Sequence, residues 1–439
     1  MRLLYSARPH SSQEVCRPSC TRQGKLSWLM NLMKESKMKR LCLILSLLLL
    51  FIGACSPRAA PVTPTVVPAV VNKSTPEPTV TVKLTPTFVP TSSLLLKSQV
   101  FEAVGTFQVG LGDLDGDGDL DAVFANMHFY SQVWLNDGAG SFTDAEQRLT
   151  QQGHGVGIGD LDGDGDLDLF ITCASFDGSH RPSVVYLNDG KANFSASQEL
   201  GDLKLSGNSV DLIDIDGDGD LDACVQYYEL PYRVYLNDGR GTFKESDIAF
   251  PDDMVLAWGD LDADGDVDIF AKELGKGYKT LLNGGAGSFK DHWQMLDSTV
   301  DYGYRSVALG DIDRDGDLDA FVTNGSREAG YSTLALLNDG SGGFTDNGQN
   351  LPAVIKAWVE LGDLNGDEHL DVFMAIIGQP HQVWINDGKG HFSDSDLRLG
   401  RDSGTRGCAL GDLDNDGDLD VFVANFFGGS NAVWFNTTK

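Results

Sequence analysis

Basic residues are scarce in this sequence. Its 439 residues include 33 lysines and arginines against 64 aspartates and glutamates, so the net charge is -31. A nucleic-acid partner is therefore not expected, because neutralising phosphates requires lysine and arginine. Cysteine is scarce as well, and seven cysteines in a chain of this length do not form a dense disulfide framework.

Helical periodicity and long apolar runs are also lacking. Between Phe101 and Asn436 the apolar residues do not recur at helical spacing. The apolar run from Leu41 to Ile52 has twelve residues, whereas a membrane-spanning helix needs about 20. The hydrophobic fraction of 41% still allows a substantial core, which argues against global disorder.

The amino-terminal segment is typical of an export signal. Met38 is followed by Lys39 and Arg40, and the short apolar run and small residues come next. A basic start, a short apolar stretch and a small-residue end are the features of a secretory signal. We therefore predict that translation starts at Met38 and that residues 1–54 comprise an N-terminal extension and a signal peptide.

The end of this segment, Ile52-Gly53-Ala54-Cys55, resembles the bacterial lipobox. The resemblance implies that Cys55 is lipidated and becomes the first mature residue. A plain signal peptide that happens to contain a cysteine is the alternative. With a lipid on Cys55, we expect a protein of the bacterial cell envelope that touches the membrane only through its lipid anchor and faces outward, at the outer membrane or cell surface.

Residues 55–95 differ in composition from the rest of the chain. They contain eight of its 15 prolines, among threonine and valine, a composition that favours extended and semi-rigid conformations. We predict a linker here that holds the following domain, residues 96–439, away from the membrane.

Aspartate and glycine recur together in a regular pattern. The first copy reads Asp113-Leu-Asp115-Gly-Asp117-Gly-Asp119-Leu-Asp121, and seven copies follow one another at spacings of 46 to 54 residues. The copies begin at Asp113, Asp160, Asp214, Asp260, Asp311, Asp363 and Asp412. Such near-constant spacing indicates a tandem repeat.

Each aspartate loop is flanked by strand-like segments. After the first loop a short alternating strand ends in the hairpin signal Asn136-Asp137-Gly138, and a phenylalanine closes the unit. Four short antiparallel strands in a unit of about 50 residues are typical of a propeller blade. The seventh unit ends without its closing phenylalanine, so we predict that the segment Ser98–Phe101 supplies the missing strand and closes the ring. The sequence thus predicts an all-β fold, a seven-bladed β-propeller of four-stranded antiparallel blades.

Residues 96–439 resemble the FG-GAP/VCBS repeat family, whose seven-bladed propellers also form the head of integrin α subunits. The resemblance rests on the aspartate loops and the hairpin motif, and it covers all seven units. It implies a calcium ion in the loop between the first and second strands of each blade.

The residue types in the loops suit calcium, which takes six to eight oxygen ligands. Asp113, Asp115 and Asp117 supply three carboxylates, Asp119 offers its backbone carbonyl, and Asp121 would complete the shell. The loops contain no cysteine, and six of them contain no histidine, which favours calcium over zinc. Acidic turns that are merely solvated are the alternative, but five carboxylates within nine residues repel one another.

The predicted ligands recur at the same places in the other loops. In the regular copies they are Asp160, Asp162, Asp164, Asp166 and Asp168; Asp214, Asp216, Asp218, Asp220 and Asp222; Asp260, Asp262, Asp264, Asp266 and Asp268; Asp311, Asp313, Asp315, Asp317 and Asp319; and Asp412, Asp414, Asp416, Asp418 and Asp420. The sixth copy offers Asp363, Asn365, Asp367, His369 and Asp371, with Glu368 in place of the turn glycine. We predict up to seven calcium ions, with the sixth site the weakest or empty.

The opposite face of such a propeller is formed by the loops between the second and third strands and by those between blades. These loops vary here, and variable loops on a rigid scaffold commonly carry a binding site. The candidate ligand-binding residues are His128, Tyr130, Phe176, Arg181, Tyr227, Tyr228, Tyr278, Tyr331, His381 and Phe427. Aromatic rings with a few polar groups suit sugars or peptides.

Three functions are compatible with this sequence. The first is non-enzymatic, a surface-anchored, calcium-stabilised propeller that binds an extracellular carbohydrate or protein in adhesion or recognition. The second is a propeller-type polysaccharide lyase or a related sugar-processing enzyme. It needs a general base beside a cation, and the candidates are His180 with Arg181, or His128 with a lysine or arginine across the funnel. The third is a structural spacer in a cell-envelope assembly.

Overall fold

The structure of the protein, a computed structural model, describes residues 99, 101, 105–174, 181–201, 206–228, 230–251, 254–296, 307–323, 333–354, 356–400, 404–426 and 429–437. The predicted signal peptide, Cys55 and the whole of the predicted linker lie outside these described residues, as does His180. Within them, no helix is long and apolar enough to cross a membrane.

The described residues form 27 β-strands in seven antiparallel sheets. The first sheet contains β1 (Thr106–Gly112), β2 (Asp121–Asn126), β3 (Tyr130–Leu135) and β4 (Thr143–Gln151). The second contains β5 (Gly153–Gly159), β6 (Asp168–Cys173), β7 (Ser183–Leu187) and β8 (Ser195–Leu200). The third contains β9 (Gly207–Ile213), β10 (Asp222–Tyr227), β11 (Leu230–Asn237) and β12 (Phe243–Phe250). The fourth contains β13 (Met254–Gly259), β14 (Asp268–Glu273), β15 (Gly277–Asn283) and β16 (Phe289–Leu296).

The remaining three sheets repeat this order. The fifth contains β17 (Val307–Gly310), β18 (Asp319–Val322), β19 (Leu334–Asn338) and β20 (Phe344–Asp346). The sixth contains β21 (Ala357–Gly362), β22 (Asp371–Ile376), β23 (His381–Asn386) and β24 (Phe392–Leu399). The seventh contains β25 (Thr405–Gly411), β26 (Asp420–Asn425) and β27 (Ala432–Trp434). Each sheet is one blade of the predicted seven-bladed propeller, because its strands pair in sequence order.

The first strands of the blades lie at the centre of the ring. Strand β1 lies beside β5 of the second blade and beside β25 of the seventh, so the first and last blades are neighbours. The aspartate loops follow the first strands and therefore share one face of the propeller. The loops between second and third strands lie on the opposite face.

The second strand of each blade is its most deeply buried element. In six blades every residue of this strand is buried, because both of its faces are covered by neighbouring blades. A phenylalanine without exposed surface lies two residues after the last loop aspartate in five blades, at Phe170, Phe270, Phe321, Phe373 and Phe422. Burial of each such side chain contributes about 1.5–3 kcal/mol.

The described residues at the amino end close the ring, as the sequence predicted. The N–H of Phe101 donates to the carbonyl of Asn431 beside β27 at 3.3 Å. The side-chain amide of Gln99 donates to the Phe142 carbonyl and accepts from the Phe142 N–H, both at 2.8 Å. The same pair of bonds links Gln198 to Phe243 and Gln349 to Phe392. Gln99 therefore takes the place that Gln198 of β8 and Gln349, just after β20, occupy in their blades, and it completes the seventh blade.

A ring of seven asparagines joins each blade to the preceding one. The asparagine at the end of the third strand donates a side-chain N–H to the carbonyl of the second loop residue of the preceding blade, at 2.8 to 3.0 Å. The asparagines are Asn136, Asn188, Asn237, Asn283, Asn338, Asn386 and Asn436. Because Asn136 bonds to Leu413 of the seventh blade, the asparagine ring is complete.

Replacing one of these asparagines should destabilise the propeller. Asn188→Ala removes three side-chain hydrogen bonds, two donated to the carbonyls of Leu114 and Leu167 and one accepted from the Asp189 N–H. We expect the free energy of unfolding to fall by about 1–3 kcal/mol. Asn193→Ala is the matched control, because Asn193 is exposed and its amide bonds to Asp189 on the surface. Denaturant unfolding of both variants measures the difference, and equal stabilities would contradict the structural role of the ring.

Candidate metal centres and the opposite face

The first aspartate of each loop holds the turn together. Asp113 accepts backbone N–H bonds from Gly116, Asp117 and Gly118 at 2.9 to 3.1 Å. Gly118 has a φ of +97°, a left-handed conformation that glycine adopts without strain. The glycines at this position in the other regular loops have φ between 94° and 102°, so the six regular copies form the same turn.

The last aspartate of each loop, at position nine, ties the loop to the hairpin of its own blade. Asp121 is fully buried; its Oδ2 accepts from the Leu114 N–H at 2.9 Å and its Oδ1 from the Asn136 N–H at 2.8 Å. The other loops repeat these two bonds at Asp168, Asp222, Asp268, Asp319, Asp371 and Asp420. The sequence had suggested only a ligand role for this position. Both roles are compatible, because each carboxylate oxygen carries two lone pairs.

Burial also changes the acidity of the position-nine carboxylates. It raises the pKa of Asp121, Asp168 and Asp222 to about 6. It raises the pKa of Asp319, Asp371 and Asp420 to about 7. Nearby loop carboxylates add to the effect, and the backbone N–H bonds oppose it.

Neutralising a position-nine aspartate should lower the free energy of unfolding more than neutralising the position-seven aspartate of the same loop. Asp222→Asn replaces one carboxylate oxygen by an NH₂ group, which cannot accept a hydrogen bond. One of the two bonds that Asp222 accepts, from the Ile215 N–H or from the Asn237 N–H, is therefore lost. We expect a loss of about 2–4 kcal/mol in the free energy of unfolding. Asp220→Asn removes the same charge from the same loop at a part-exposed position and should cost less than about 1 kcal/mol. Thermal unfolding in excess calcium compares them, and an equal effect would refute the structural role of Asp222.

The loops gather oxygen atoms closely enough to hold metal ions. Sets of three aspartates place one carboxylate oxygen each within 4.8 Å of the others. These sets include Asp113, Asp115 and Asp121; Asp160, Asp162 and Asp168; Asp214, Asp216 and Asp218; Asp260, Asp262 and Asp268; and Asp311, Asp313 and Asp315. Burial and neighbouring carboxylates raise the pKa of the position-three aspartates, as at Asp162 beside Asp164, so the cluster as it stands disfavours full ionisation.

The Oδ1 atom at position three of the loops is placed to bind a cation. The Oδ1 atom at position three is buried and lacks a hydrogen-bond partner in five loops, at Asp162, Asp216, Asp262, Asp313 and Asn365. Leaving a buried acceptor unsatisfied costs about 1–3 kcal/mol. A cation bound among the loop oxygens would satisfy each of these atoms, so the residues present fit a metal ion.

Position seven faces the hairpin of the same blade. A Cβ atom at Gly138 would lie 2.5 Å from Asp119 Oδ2, so the hairpin requires glycine there. The equivalent glycines, Gly190, Gly239, Gly340 and Gly388, meet Asp166, Asp220, Asp317 and His369 in the same way. With the position-seven side chain against the hairpin, its backbone carbonyl remains the group predicted to face a metal.

The sixth loop keeps the turn despite its different sequence. Glu368 has a φ of +66°, and its N–H donates to Asp363 at 2.7 Å, as the turn glycine does in the other loops. The Asn365 amide donates to Asp367 at 3.1 Å, and His369 Nδ1 lies 3.3 Å from Asp367 Oδ1. The loop thus differs from the others in its ligand types more than in its backbone, and the weaker affinity of this site stays a prediction.

Three of the predicted ligand-binding residues lie inside the blades. Tyr227, Tyr278 and His381 are 4%, 0% and 0% exposed. The Tyr227 hydroxyl bonds to that of Tyr235 at 2.8 Å, and His381 Nδ1 accepts from the Ile376 N–H at 3.0 Å. These three side chains pack the core and offer no surface to a ligand.

Four others are exposed on the face opposite the aspartate loops or beside it: His128, Tyr130, Arg181 and Tyr228. Arg181 donates to the Gln151 side chain at 3.0 Å. The remaining candidates, Phe176, Tyr331 and Phe427, lie outside the described residues.

Four residues that the sequence did not single out form a row across this face. The mouth row consists of Arg406, Phe107, His154 and Asn208, each six residues before the first aspartate of its loop, on blades seven, one, two and three. Arg406 Cζ lies 5.5 Å from the Phe107 ring centre, and the Phe107 and His154 rings are 3.6 Å apart. His154 Nδ1 lies 2.7 Å from the Asn208 carbonyl oxygen. The shared repeat position was the one available sequence signal.

Aromatic residues surround the mouth row. The Phe426 ring centre lies 4.4 Å from that of Phe107 and 5.9 Å from Arg406 Cζ. The exposed His128 ring lies 5.1 Å from Phe426. At the other end, the Tyr228 hydroxyl lies 2.8 Å from His154 Nε2.

His154 is neutral and held in one tautomer. Burial, and to a lesser degree the positive charge of Arg406, lowers its pKa to about 3. Because a carbonyl can only accept, Nδ1 carries the proton and donates to Asn208. Nε2 is then an acceptor, so the Tyr228 hydroxyl donates to it.

Comparisons with known proteins agree with this architecture. A family model described as an FG-GAP-like repeat matches residues 113–171, 160–225 and 363–423. No curated protein matches the chain. The crystal structure of BP39L lectin from Burkholderia pseudomallei matches with a TM-score of 0.57 at 13% identity, over 76% of this chain and 96% of that one. BBS1N, crystallised in complex with ARL6DN, matches with a TM-score of 0.50 at 12% identity, over 77% of this chain and 95% of that one.

At these identities the structural likeness establishes the fold alone. The matched repeats, the seven aspartate loops and the seven blades of the ring agree with one another. This chain is a seven-bladed β-propeller that contains FG-GAP-like repeats at residues 113–225 and 363–423.

Proposed function

We propose that the protein is a calcium-stabilised lectin-like propeller that binds an extracellular carbohydrate on the face opposite its aspartate loops. One observation carries the proposal. The large hydrophobic side chains exposed among the described residues are Phe129, Tyr130 and Tyr228, at 55%, 45% and 38%. Phe129 and Tyr228 lie in loops between second and third strands, and Tyr130 is the first residue of β3, directly after such a loop. Exposed aromatic rings beside polar groups suit stacking against the faces of sugars.

A structural neighbour supports this choice of ligand. The BP39L protein is a lectin of the same overall fold. A protein ligand is the alternative. It would need a larger apolar patch than the three separate aromatic side chains provide.

Calcium is the metal we propose for the loops. Their donors are carboxylate and carbonyl oxygens in six of the seven copies, and flexible all-oxygen sites are typical of calcium. Up to seven ions would bind, with the sixth the weakest because Asn365 is neutral there. In this role calcium neutralises the loops and fixes their turns, and the ligand binds elsewhere.

The predicted lipid anchor fits this activity. With Cys55 lipidated and residues 55–95 as a spacer, the propeller would stand away from the bacterial envelope with its binding face accessible. Palmitate labelling of the full-length protein and of a Cys55→Ala variant would test the anchor, and equal labelling of the two would contradict it.

A glycan array probed with the full-length protein tests the proposed function. We expect discrete binding in calcium, reduced strongly by Tyr228→Ala or Phe129→Ala. His391→Ala is the control, because His391 is an exposed ring on the hairpin side of the molecule, with the aspartate loops. A blank array from folded, calcium-bound protein would refute carbohydrate binding. Binding that both Tyr228→Ala and Phe129→Ala retain would refute this face as the site.

One contact favours a polysaccharide lyase as a second candidate. His128 and Arg406 both lie against the Phe426 ring, which places a base and a cation near each other. On a uronic-acid polymer, His128 would take the proton beside the carboxylate while the C–O bond to the next sugar breaks. The departing oxygen would take a proton from water, and Arg406 would neutralise the carboxylate. Incubation with polyuronates and measurement of the ultraviolet absorption of the unsaturated product distinguishes this candidate, since binding alone gives no absorption.

A further inference from the structure

The acidic residues of this protein are concentrated away from the mouth row. The seven loops contain 34 of the 64 acidic residues, on the face opposite the row. The first strands connect the two faces and are up to seven residues long. At roughly 3.3 Å per residue, the faces are about 20 Å apart. Charges that far apart are largely screened at physiological ionic strength, where the Debye length is about 8 Å. The 34 loop carboxylates therefore add little repulsion against an anion at the mouth row.

Arg406 is the charged member of the mouth row. His154 beside it stays neutral, and Phe107 and Asn208 carry no charge. Arg406 is part-exposed as a residue, and its guanidinium lies against the rings of Phe107 and Phe426, which limits its conformations before a ligand arrives. A guanidinium constrained in this way is suited to bind a carboxylate or sulfate through charge-assisted hydrogen bonds.

The other end of the row offers the complementary group. Because His154 Nε2 takes the Tyr228 hydroxyl proton, the phenolic oxygen meets a ligand as an acceptor. Its natural partner is the hydroxyl of a sugar, which donates, and the exposed Tyr228 ring provides a surface for stacking. Two rings, Phe107 and His154, separate this acceptor from Arg406, a span that suits an oligosaccharide better than a single sugar.

We propose that the mouth row selects acidic oligosaccharides, with Arg406 binding the anionic group and the Tyr228 oxygen accepting a sugar hydroxyl. This inference rests on the proposed carbohydrate-binding function and adds the class of sugar. An anion flanked by hydroxyl donors distinguishes an acidic sugar from an acidic peptide, whose neighbouring groups are amides.

Calorimetric titration of the full-length protein in calcium tests the inference. The ligands are an oligogalacturonate, the same oligosaccharide with its carboxyls reduced, a sulfated neutral oligosaccharide and a poly-glutamate peptide. We expect at least about ten-fold tighter binding of the anionic sugars than of the reduced one, as one charge-assisted hydrogen bond provides. Comparing the affinities of the oligogalacturonate and the sulfated oligosaccharide shows whether a carboxylate or a sulfate is preferred.

Matched variants locate the effect. Arg406→Gln should remove the preference for the anionic sugar while binding of the reduced one persists. Tyr228→Phe keeps the aromatic ring and removes the hydroxyl. It should weaken the binding of both sugars and leave the preference for the anionic one unchanged. Arg398→Gln is the control, since Arg398 is on the outer strand β24 and pairs with Asp394, and it should leave all affinities unchanged.

The outcomes separate this inference from the proposed function. Equal affinity for the anionic and reduced sugars, or a preference that survives in Arg406→Gln, overturns the inference and leaves carbohydrate binding standing. Binding of poly-glutamate as tight as that of oligogalacturonate also overturns it. Failure of every sugar to bind overturns both.

Discussion

Removing calcium should unfold the propeller. With a dissociation constant of about 10⁻⁴ M, within the range of extracellular modules, and about 10 mM calcium, each site stabilises the folded state by about 2.7 kcal/mol. Seven sites would contribute on the order of 19 kcal/mol, whereas whole domains are usually stable by about 5–15 kcal/mol. The bound ions would therefore account for the entire net stability.

Charge repulsion explains why the metal-free loops cannot compensate. They contain 34 acidic residues, and a like-charge pair at 4 Å costs about 1 kcal/mol in water and about 4 kcal/mol near a protein surface. The unsatisfied oxygens at position three, as at Asp216 and Asp313, add their own cost. Repulsion among the carboxylates would open the turns, and each turn sets the distance between the first and second strands of its blade.

Circular dichroism melts in calcium, magnesium and chelator measure the effect. We expect the β signal to be lost at room temperature in chelator, or the melting temperature to fall by at least roughly 20 °C, and to recover when calcium is restored. Magnesium should recover it poorly, because that ion demands a smaller and more rigid shell. Identical melts in calcium and chelator would show that the loops are stable without an ion.

The architecture could be predicted because it repeats. Seven aspartate motifs near 50 residues apart predict the number of blades. The short alternating segments between the motifs predict four strands in each blade. The missing phenylalanine in the last unit predicted that the amino end completes it, and Gln99 and Phe101 do so. Local patterns sufficed here because consecutive strands of a blade are joined by short turns.

The contacts between blades could not be predicted in this way. Asn283 is recognisable as part of a hairpin signal, but its bond to Ile215 of the preceding blade joins residues 68 positions apart. The position-nine aspartates were predicted as metal ligands from their residue type and their place in the loop. Their bonds to two backbone N–H groups, as at Asp222, depend on the three-dimensional packing of loop against hairpin.

The face opposite the aspartate loops was the least predictable part. Successive strand residues point to opposite sides, so a shift of one position decides exposure. Tyr227 is buried and its neighbour Tyr228 is exposed, although both looked alike as candidates. The mouth row was missed because its four members are of different types and meet only when the ring closes between Arg406 and Phe107.

Phe101→Ala should destabilise the propeller by about 3–5 kcal/mol, the usual cost of emptying a large aromatic site. The Phe101 ring is 2% exposed and lies between the last and first blades, 5.2 Å from the ring of Phe422 and 5.0 Å from that of Trp134. Its loss removes the wedge between these two blades, which are the last and the first in sequence. Phe129→Ala is the control, because Phe129 is 55% exposed, and it should change stability by less than about 0.5 kcal/mol.

Denaturant unfolding in calcium, followed by tryptophan fluorescence, measures both variants. If the amino-terminal segment closes the ring, Phe101→Ala should also speed proteolysis of the first and seventh blades relative to the others, because opening begins at the seam. Gln99→Ala should show the same pattern with a smaller loss, about 1–2 kcal/mol, since it breaks two hydrogen bonds to Phe142. Loss of stability without preferential cleavage at the seam would mean that Phe101 serves as ordinary core and that the asparagine ring, through Asn136 and Leu413, is enough to hold the propeller closed.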